Sequence, residues 1–109
     1  MEDRVEVSLL MDCYSPLLTE KQRNIMEMYY NEDLSLAEIA EINKTSRQAI
    51  HDVIKRCSKQ LLAYENKLNL LQKSLNREEK IISILDDLKK KYSINTEEYD
   101  MLKEELEDL

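Results

Sequence analysis

The stretch that decides the fold runs from residue 35 to residue 56 and reads SLAEIAEINKTSRQAIHDVIKR. Ser35 is followed three residues later by Glu38, a pairing typical of a capping box at the start of a helix. This predicts a short helix over Leu36–Ile42. Its buried side would be Leu36, Ile39 and Ala40, and the small Ala40 lets a second helix cross closely.

A second helix follows after a polar break. Asn43 and Lys44 form the turn, and either Thr45 or Ser46 caps the helix that starts there. Ile39, Ile50 and Val53 would pack against one another where the two helices cross and would fix that crossing. A capped short helix, a turn of a few residues and a second capped helix predict a helix-turn-helix.

The second helix continues as an apolar seam with alternating spacings of four and three residues. Seven-residue periodicity held this long is typical of a coiled coil. We therefore expect one helix from Ser46 to Asn76, about 46 Å long at 1.5 Å per residue. Its far half needs a partner, either a later helix of the chain or, in a homodimer, a second copy. The residues of this packing seam are Leu61, Tyr64, Leu68, Leu71 and Leu75, after Ile50, Ile54 and Cys57.

Helices are expected on both sides of the motif. A first helix over Arg4–Tyr14 would end before Pro16. Thr19 and Gln22 form another capping box, and that helix would run to about Asn31. On the first helix Val5, Leu9 and Cys13 form one apolar stripe, with Leu10 and Tyr14 beside it. The expected buried face of the second helix is Ile25, Met28 and Tyr29.

The C-terminal part repeats the helical spacing with Ile81, Leu85, Leu88 and Tyr92. Thr96 is expected to cap a last, strongly acidic helix, with breaks at Asn76 and at residues 93–95. The predicted organisation is a helix-turn-helix domain over residues 1–60 and a helical, coiled-coil extension over residues 61–109 that is continuous with it.

Composition limits the fold class and the function. The chain has no glycine and one proline among 109 residues, which argues against a β fold and excludes glycine-rich phosphate loops. The predicted fold class is therefore all-α. The net charge is −7, with 16 basic and 23 acidic residues, which argues against strong non-specific binding to nucleic acid.

A local positive surface is nevertheless expected on the second helix of the motif. Between residues 46 and 60 there are four Lys or Arg residues and one acid, Asp52. Arg47 and Gln48 would reach base edges, and Lys55, Arg56 and Lys59 would reach phosphates. The alternative is an ordinary solvated helix face. The candidate nucleic-acid-binding residues are Lys44, Ser46, Arg47, Gln48, His51, Lys55, Arg56 and Lys59.

Catalysis and cofactor binding are not expected. His51 is the only histidine, and it has no companions for a metal site or for general base chemistry. The acidic residues of the last helix follow helix faces and do not form a cation-binding loop. We predict no enzyme activity, no metal and no cofactor.

SLAEIA followed by SRQAI resembles region 4 of sigma factors, and the segment LTEKQR before it is similar to the opening helix of that region. The ordered set LLTEKQ, YY, SLAEIAE, SRQAI and IKR, between about Val7 and Tyr64, resembles the YlxM family still more closely. One departure concerns the turn. Family members carry an apolar residue and then glycine where this chain has Asn43 and Lys44, so the turn is expected to be shifted by a residue or mildly strained.

The resemblance implies a sigma region 4-like helix-turn-helix bundle with an acidic helical tail. It also implies a link to the signal recognition particle, because members are typically encoded beside its protein subunit. The expected function is that of an accessory protein that modulates this particle through its protein or its RNA. The alternative is a sequence-specific DNA-binding regulator that acts as a dimer. No secretory signal or membrane span is evident, so a cytoplasmic location is expected.

Overall fold

A computed structural model describes residues 3–109, and this part of the chain is all-α. Its helices, in chain order, are α1 (Arg4–Tyr14), α2 (Glu20–Tyr30), α3 (Leu36–Ile42), α4 (Arg47–Leu68), α5 (Leu70–Tyr92) and α6 (Thr96–Glu107), with a 3₁₀ turn over Ser15–Leu17. The chain divides after Leu71 into two compact units. The domain boundary proposed from the sequence, after residue 60, lies inside α4.

The first unit is organised around α4. Helices α1, α2 and α3 all contact α4, and one continuous apolar core lies between them. From α4 the core takes Ile50, Ile54, Cys57 and Leu61, each at most 1% exposed. Each Å² of apolar surface that is removed from water stabilises the folded state by about 25 cal/mol. This burial is the main force that holds the unit together.

The two capping boxes predicted at the starts of α2 and α3 are confirmed. The Thr19 hydroxyl accepts the backbone N–H of Gln22, whose side chain in turn accepts the N–H of Thr19. Ser35 and Glu38 make the same reciprocal pair at the start of α3. These contacts satisfy backbone donors that the first turn of a helix leaves without partners, so short local patterns were sufficient to predict them.

The predicted buried stripe of α1 is wrong. Val5 is 69% exposed, Leu9 is 37% exposed, and Cys13 is half-buried. The residues of α1 that enter the core are Leu10 and Tyr14, which were expected beside that stripe, together with Val7 and Met11. Both stripes follow the helical period, so periodicity alone could not tell which of them would face α4.

The buried face of α2 agrees only in part with the predicted one. Ile25 is buried as expected, but Met26 and Tyr30 complete the buried set, and Met28 and Tyr29 are half-buried. The rings of Tyr29 and Tyr30 meet edge to face with centroids 4.9 Å apart. The Arg4 guanidinium lies over both rings and pairs with Asp33 at 2.6 Å, which ties α1 to the end of α2.

The prediction of one helix from Ser46 to Asn76 is wrong. α4 ends at Leu68, and Asn69 takes a left-handed conformation with φ 54° and ψ 30°. Asn76, a predicted break, lies inside α5. The seam therefore does not follow one helix: Leu61 is buried and Tyr64 and Leu71 are half-buried, but Leu68 and Leu75 are exposed.

Side chains of α1 and α4 supply the first N–H acceptors of α5. The buried Tyr14 hydroxyl donates to Glu65 Oε1 at 2.5 Å and accepts the backbone N–H of Leu70 at 3.0 Å. Glu65 Oε1 also accepts the N–H of Leu71 at 3.0 Å. These acceptors come from residues distant in sequence, so no capping motif near Leu70 announced the start of the new helix.

The second unit comprises the rest of α5 together with α6. Ile81 and Leu85 are its buried residues, whereas Leu88 is half-buried and Tyr92 is exposed. The break at residues 93–95 is confirmed, but the cap of α6 is Asn95, whose side chain accepts the N–H of Glu98, and not Thr96. The Tyr99 hydroxyl donates to Asp86 at 2.8 Å.

Replacing the left-handed Lys44 by glycine should stabilise the protein. Lys44 has φ 54°, a conformation that its Cβ disfavours and that glycine adopts freely. We expect Lys44→Gly to raise the free energy of unfolding by about 0.5–1 kcal/mol, measured by urea denaturation. Lys55→Gly, inside α4, should instead lower it by about 1 kcal/mol. An equal fall in the free energy of unfolding in both variants would contradict the left-handed conformation of Lys44.

The Tyr14 contact should make the protein sensitive to alkali. Burial, and then the hydrogen bond donated to Glu65, raise the pKa of Tyr14 above its ordinary value of 10.0. Above pH 10 the unfolded chain loses this proton before the folded chain does, so the free energy of unfolding falls with rising pH. Urea titrations between pH 9 and 11 should show a steeper decline for wild type than for Tyr14→Phe. Tyr92→Phe, at an exposed tyrosine, should decline like wild type.

Candidate nucleic-acid interface

The turn between α3 and α4 contains four residues, Asn43 to Ser46. The Asn43 side chain donates to the Ile39 carbonyl at 2.8 Å, and the backbone N–H of Thr45 donates to the Ala40 carbonyl at 3.0 Å. Lys44 takes the left-handed conformation. The strained residue is therefore Lys44, and the turn is not shifted to Asn43.

Ser46 begins α4 as its N-cap. Its hydroxyl accepts the N–H of Ala49 at 3.1 Å, which decides between Thr45 and Ser46. The cap leaves other N–H groups of the first turn pointing outward, at the positive end of a helix of 22 residues. This end of α4 is therefore suited to face an anion such as a phosphate.

The structure brings the predicted site residues together on the outward side of the motif. All of them are exposed except His51, which is half-buried. Residues from α3 and α4 line an open depression at the start of α4, and residues of α4 alone line a second one further along. The first is lined by Leu36, Arg47, Gln48 and His51, and the second by Asp52, Lys55, Arg56 and Lys59.

We call Lys44, Arg47, Gln48, His51, Lys55, Arg56 and Lys59 the α4 surface. Within residues 3–109, none of its Lys or Arg side chains has an acidic group within ion-pair distance. Asp52 is the one acid that lines the depressions with them, so cations predominate there. In a protein with a net charge of −7, this concentrates attraction for a polyanion on one side of one helix.

Asp52 is the exception on this surface, and its role was not predicted. Its carboxylate accepts the Gln48 amide at 3.0 Å and lies 3.8 Å from His51 Nδ1. That nitrogen is buried without a hydrogen-bond partner in the described chain. Gln48 lies four residues before Asp52, so helical spacing could have indicated the contact. Leu36 was also missed here, because the pattern assigned it only to the core.

Residues 3–109 also bear on metal binding and on membrane crossing. No group of three or more metal-ligating side chains is arranged to hold an ion within residues 3–109. In the same range, no helix combines the length and apolar character that crossing a bilayer requires. Burial raises the pKa of the Cys57 thiol, which disfavours the reactive thiolate.

A short capped helix, a four-residue turn and a second helix that crosses it over a shared core define a helix-turn-helix protein. Residues 1–105 match the family model UPF0122, described as "Putative helix-turn-helix protein, YlxM / p13 like". The chain belongs to this family, which confirms the resemblance read from the sequence. The description is that of a helix-turn-helix family and not of an enzyme family.

Curated relatives cover most or all of the chain. A UPF0122 protein of Clostridium botulinum (strain Alaska E43 / Type E3) is 68% identical over 109 residues, the full length of both chains. One from Clostridium perfringens (strain SM101 / Type A) is 53% identical over all of this chain and 97% of its own. One from Clostridium acetobutylicum is 56% identical over 88 residues, which are 81% of this chain and 76% of its own.

Removing the cap of α4 should weaken the motif that presents the surface. Ser46→Ala leaves the Ala49 N–H without its acceptor, and we expect a loss of about 1 kcal/mol in the free energy of unfolding. Thr45→Ala, one residue earlier, should cost less than about 0.5 kcal/mol. Urea denaturation of both variants measures the two losses. A larger loss in Thr45→Ala than in Ser46→Ala would contradict Ser46 as the N-cap of α4.

Proposed function

We propose that the protein is a nucleic-acid-binding accessory protein and that its α4 surface contacts the RNA of the signal recognition particle. The observation that carries the proposal is the set of exposed Lys and Arg side chains on α4, none of which lies within ion-pair distance of a carboxylate of residues 3–109. Such side chains bind phosphates and release the counterions condensed on the nucleic acid. The choice of target rests on the family resemblance.

The overall acidity supports an accessory role over bulk coating of nucleic acid. With a net charge of −7, most of the protein repels a polyanion, and only a surface such as that of α4 attracts one. Repulsion elsewhere would orient the protein and keep non-specific affinity low. A small number of phosphate contacts gives a modest salt dependence, in contrast to proteins that neutralise many phosphates.

A second candidate is a DNA-binding regulator that acts as a dimer. It is favoured by the position of Arg47 and Gln48, which are exposed in the first turn of α4. In helix-turn-helix proteins the first turns of the second helix contact base edges in the major groove. A dimer would place two such helices against half-sites about one helical turn apart. Under this hypothesis Arg47→Ala should abolish sequence preference, and sedimentation should show a dimer.

The test is a salt titration with two targets of matched length. One is the signal recognition particle RNA of Clostridium botulinum, the source of the relative that is 68% identical, and the other is duplex DNA. Fluorescence anisotropy should show preferential binding to the RNA. Lys55→Ala with Lys59→Ala should lower the slope of log K against log salt by about 1 for each phosphate that the variant no longer neutralises. Asp52→Asn should strengthen binding, because it removes the acid from the surface.

Lys21→Ala with Lys90→Ala is the matched control, since it removes two exposed cations that lie outside the surface. It should leave the salt slope unchanged. Preference for one DNA sequence over the RNA, abolished in Arg47→Ala, would favour the regulator instead. Affinity for both nucleic acids that is the same in the α4 variant and in the control would refute the role of the α4 surface.

A further inference from the structure

Helix α5 carries a second row of cations, separate from the α4 surface. Lys73, Arg77 and Lys80 recur at intervals of four and three residues, so they follow one face of the helix. All three side chains are exposed, and all belong to the second compact unit. We call these three residues the α5 cation row. It spans about 10 Å of helix at 1.5 Å per residue.

The members of the row are helical neighbours of one another, and the two acids between them in the sequence, Glu78 and Glu79, lie at neither three- nor four-residue spacing from any of them. Helical neighbours lie three and four residues away, and at none of these positions does any of the three residues meet Asp or Glu. Arg77 instead has Lys73 four residues before it and Lys80 three residues after it. Like charges at these spacings destabilise a helix, so the row weakens α5 unless an anion neutralises it.

The described chain does not supply that anion. Among residues 3–109, no ion pair or hydrogen bond joins a side chain of the row to a carboxylate. Two other cations of the second unit have partners within it. The Lys89 ammonium lies over the Tyr99 ring at 5.4 Å, and Lys103 pairs with Glu107 at 3.9 Å. The cations of the row remain available to a ligand from outside.

We propose that the α5 cation row is a second binding surface for the phosphate backbone of the nucleic acid. This inference rests on the proposed function, which supplies a polyanion. One further observation favours phosphates over an acidic protein: lysine is depleted at protein–protein interfaces, yet two of the three residues are lysine. Helix α5 also exposes Leu70, Leu75, Ile82 and Ile84, so binding to a membrane surface is an outcome that the experiment tests.

The experiment compares two triple variants that change the net charge equally. Lys73→Gln/Arg77→Gln/Lys80→Gln removes the row, and glutamine keeps a high helix propensity. Lys21→Gln/Lys67→Gln/Lys90→Gln removes three exposed cations from other positions. Both are titrated with the signal recognition particle RNA used above, over a range of salt concentrations. Circular dichroism at matched concentration checks that both variants stay helical.

The row variant should bind the RNA about 10-fold more weakly at low salt, and its salt slope should fall by about 2 to 3, as expected when three phosphates are no longer neutralised. The control variant should keep the wild-type slope. Equal losses in both variants would mean that net charge alone matters, and the inference would be wrong. It would also be wrong if the row variant kept its RNA affinity but no longer bound anionic phosphatidylserine vesicles or no longer self-associated in sedimentation.

Failure of this inference can be told apart from failure of the proposed function. If wild type does not bind RNA or DNA at all, the proposed function and the inference both fall. If the Lys55 and Lys59 variant loses RNA affinity while the row variant does not, only the inference is overturned. If the row variant alone loses affinity, the inference stands and the α4 surface loses its assigned role.

Discussion

Burial of one side of α4 is the interaction on which the rest of the structure depends. Its inner residues are almost completely excluded from water, and three other helices contact it. A helix held in this way cannot rotate about its axis without exposing apolar surface, at a cost of about 25 cal/mol for each Å². The opposite side is therefore held toward solvent. That is why Arg47, Lys55 and Lys59 stand together as one exposed surface and are not scattered over a mobile segment.

Left-handed residues set the ends of several helices in this glycine-free chain. Asp33, Lys44, Asn69 and Ser93 all have positive φ angles. Each follows a helix, where a left-handed residue commonly reverses the chain and where glycine would be the least strained choice. The protein accepts this local strain because tertiary packing and capping contacts hold the helices on either side. The same strain makes these turns hard to recognise, since neither glycine nor proline marks them.

Charge is distributed unevenly in a protein that is acidic overall. Within residues 3–109, the Lys and Arg side chains of the α4 surface and of the α5 cation row lie outside ion-pair distance of every carboxylate, although acidic residues outnumber basic ones 23 to 16 in the sequence. The net charge of the protein is therefore a poor guide to its affinity for nucleic acid. What matters for association is the local field, which falls off within about 10 Å at moderate salt. Two separate basic surfaces can thus act on a polyanion despite repulsion from the remainder.

The sequence by itself determined the features that depend on neighbouring residues. The capping boxes at Thr19 and Ser35, the bounds of α3 and the all-α class follow from backbone donors that need nearby acceptors and from the lack of glycine. Tertiary structure decided what depends on distant residues. Val7 and Met11, and not Val5 and Leu9, entered the core because only one of two periodic stripes could face α4. The long helix ended at Leu68 because Asn69 takes a left-handed conformation and Tyr14, fifty-six residues before Leu70, accepts the N–H that opens α5.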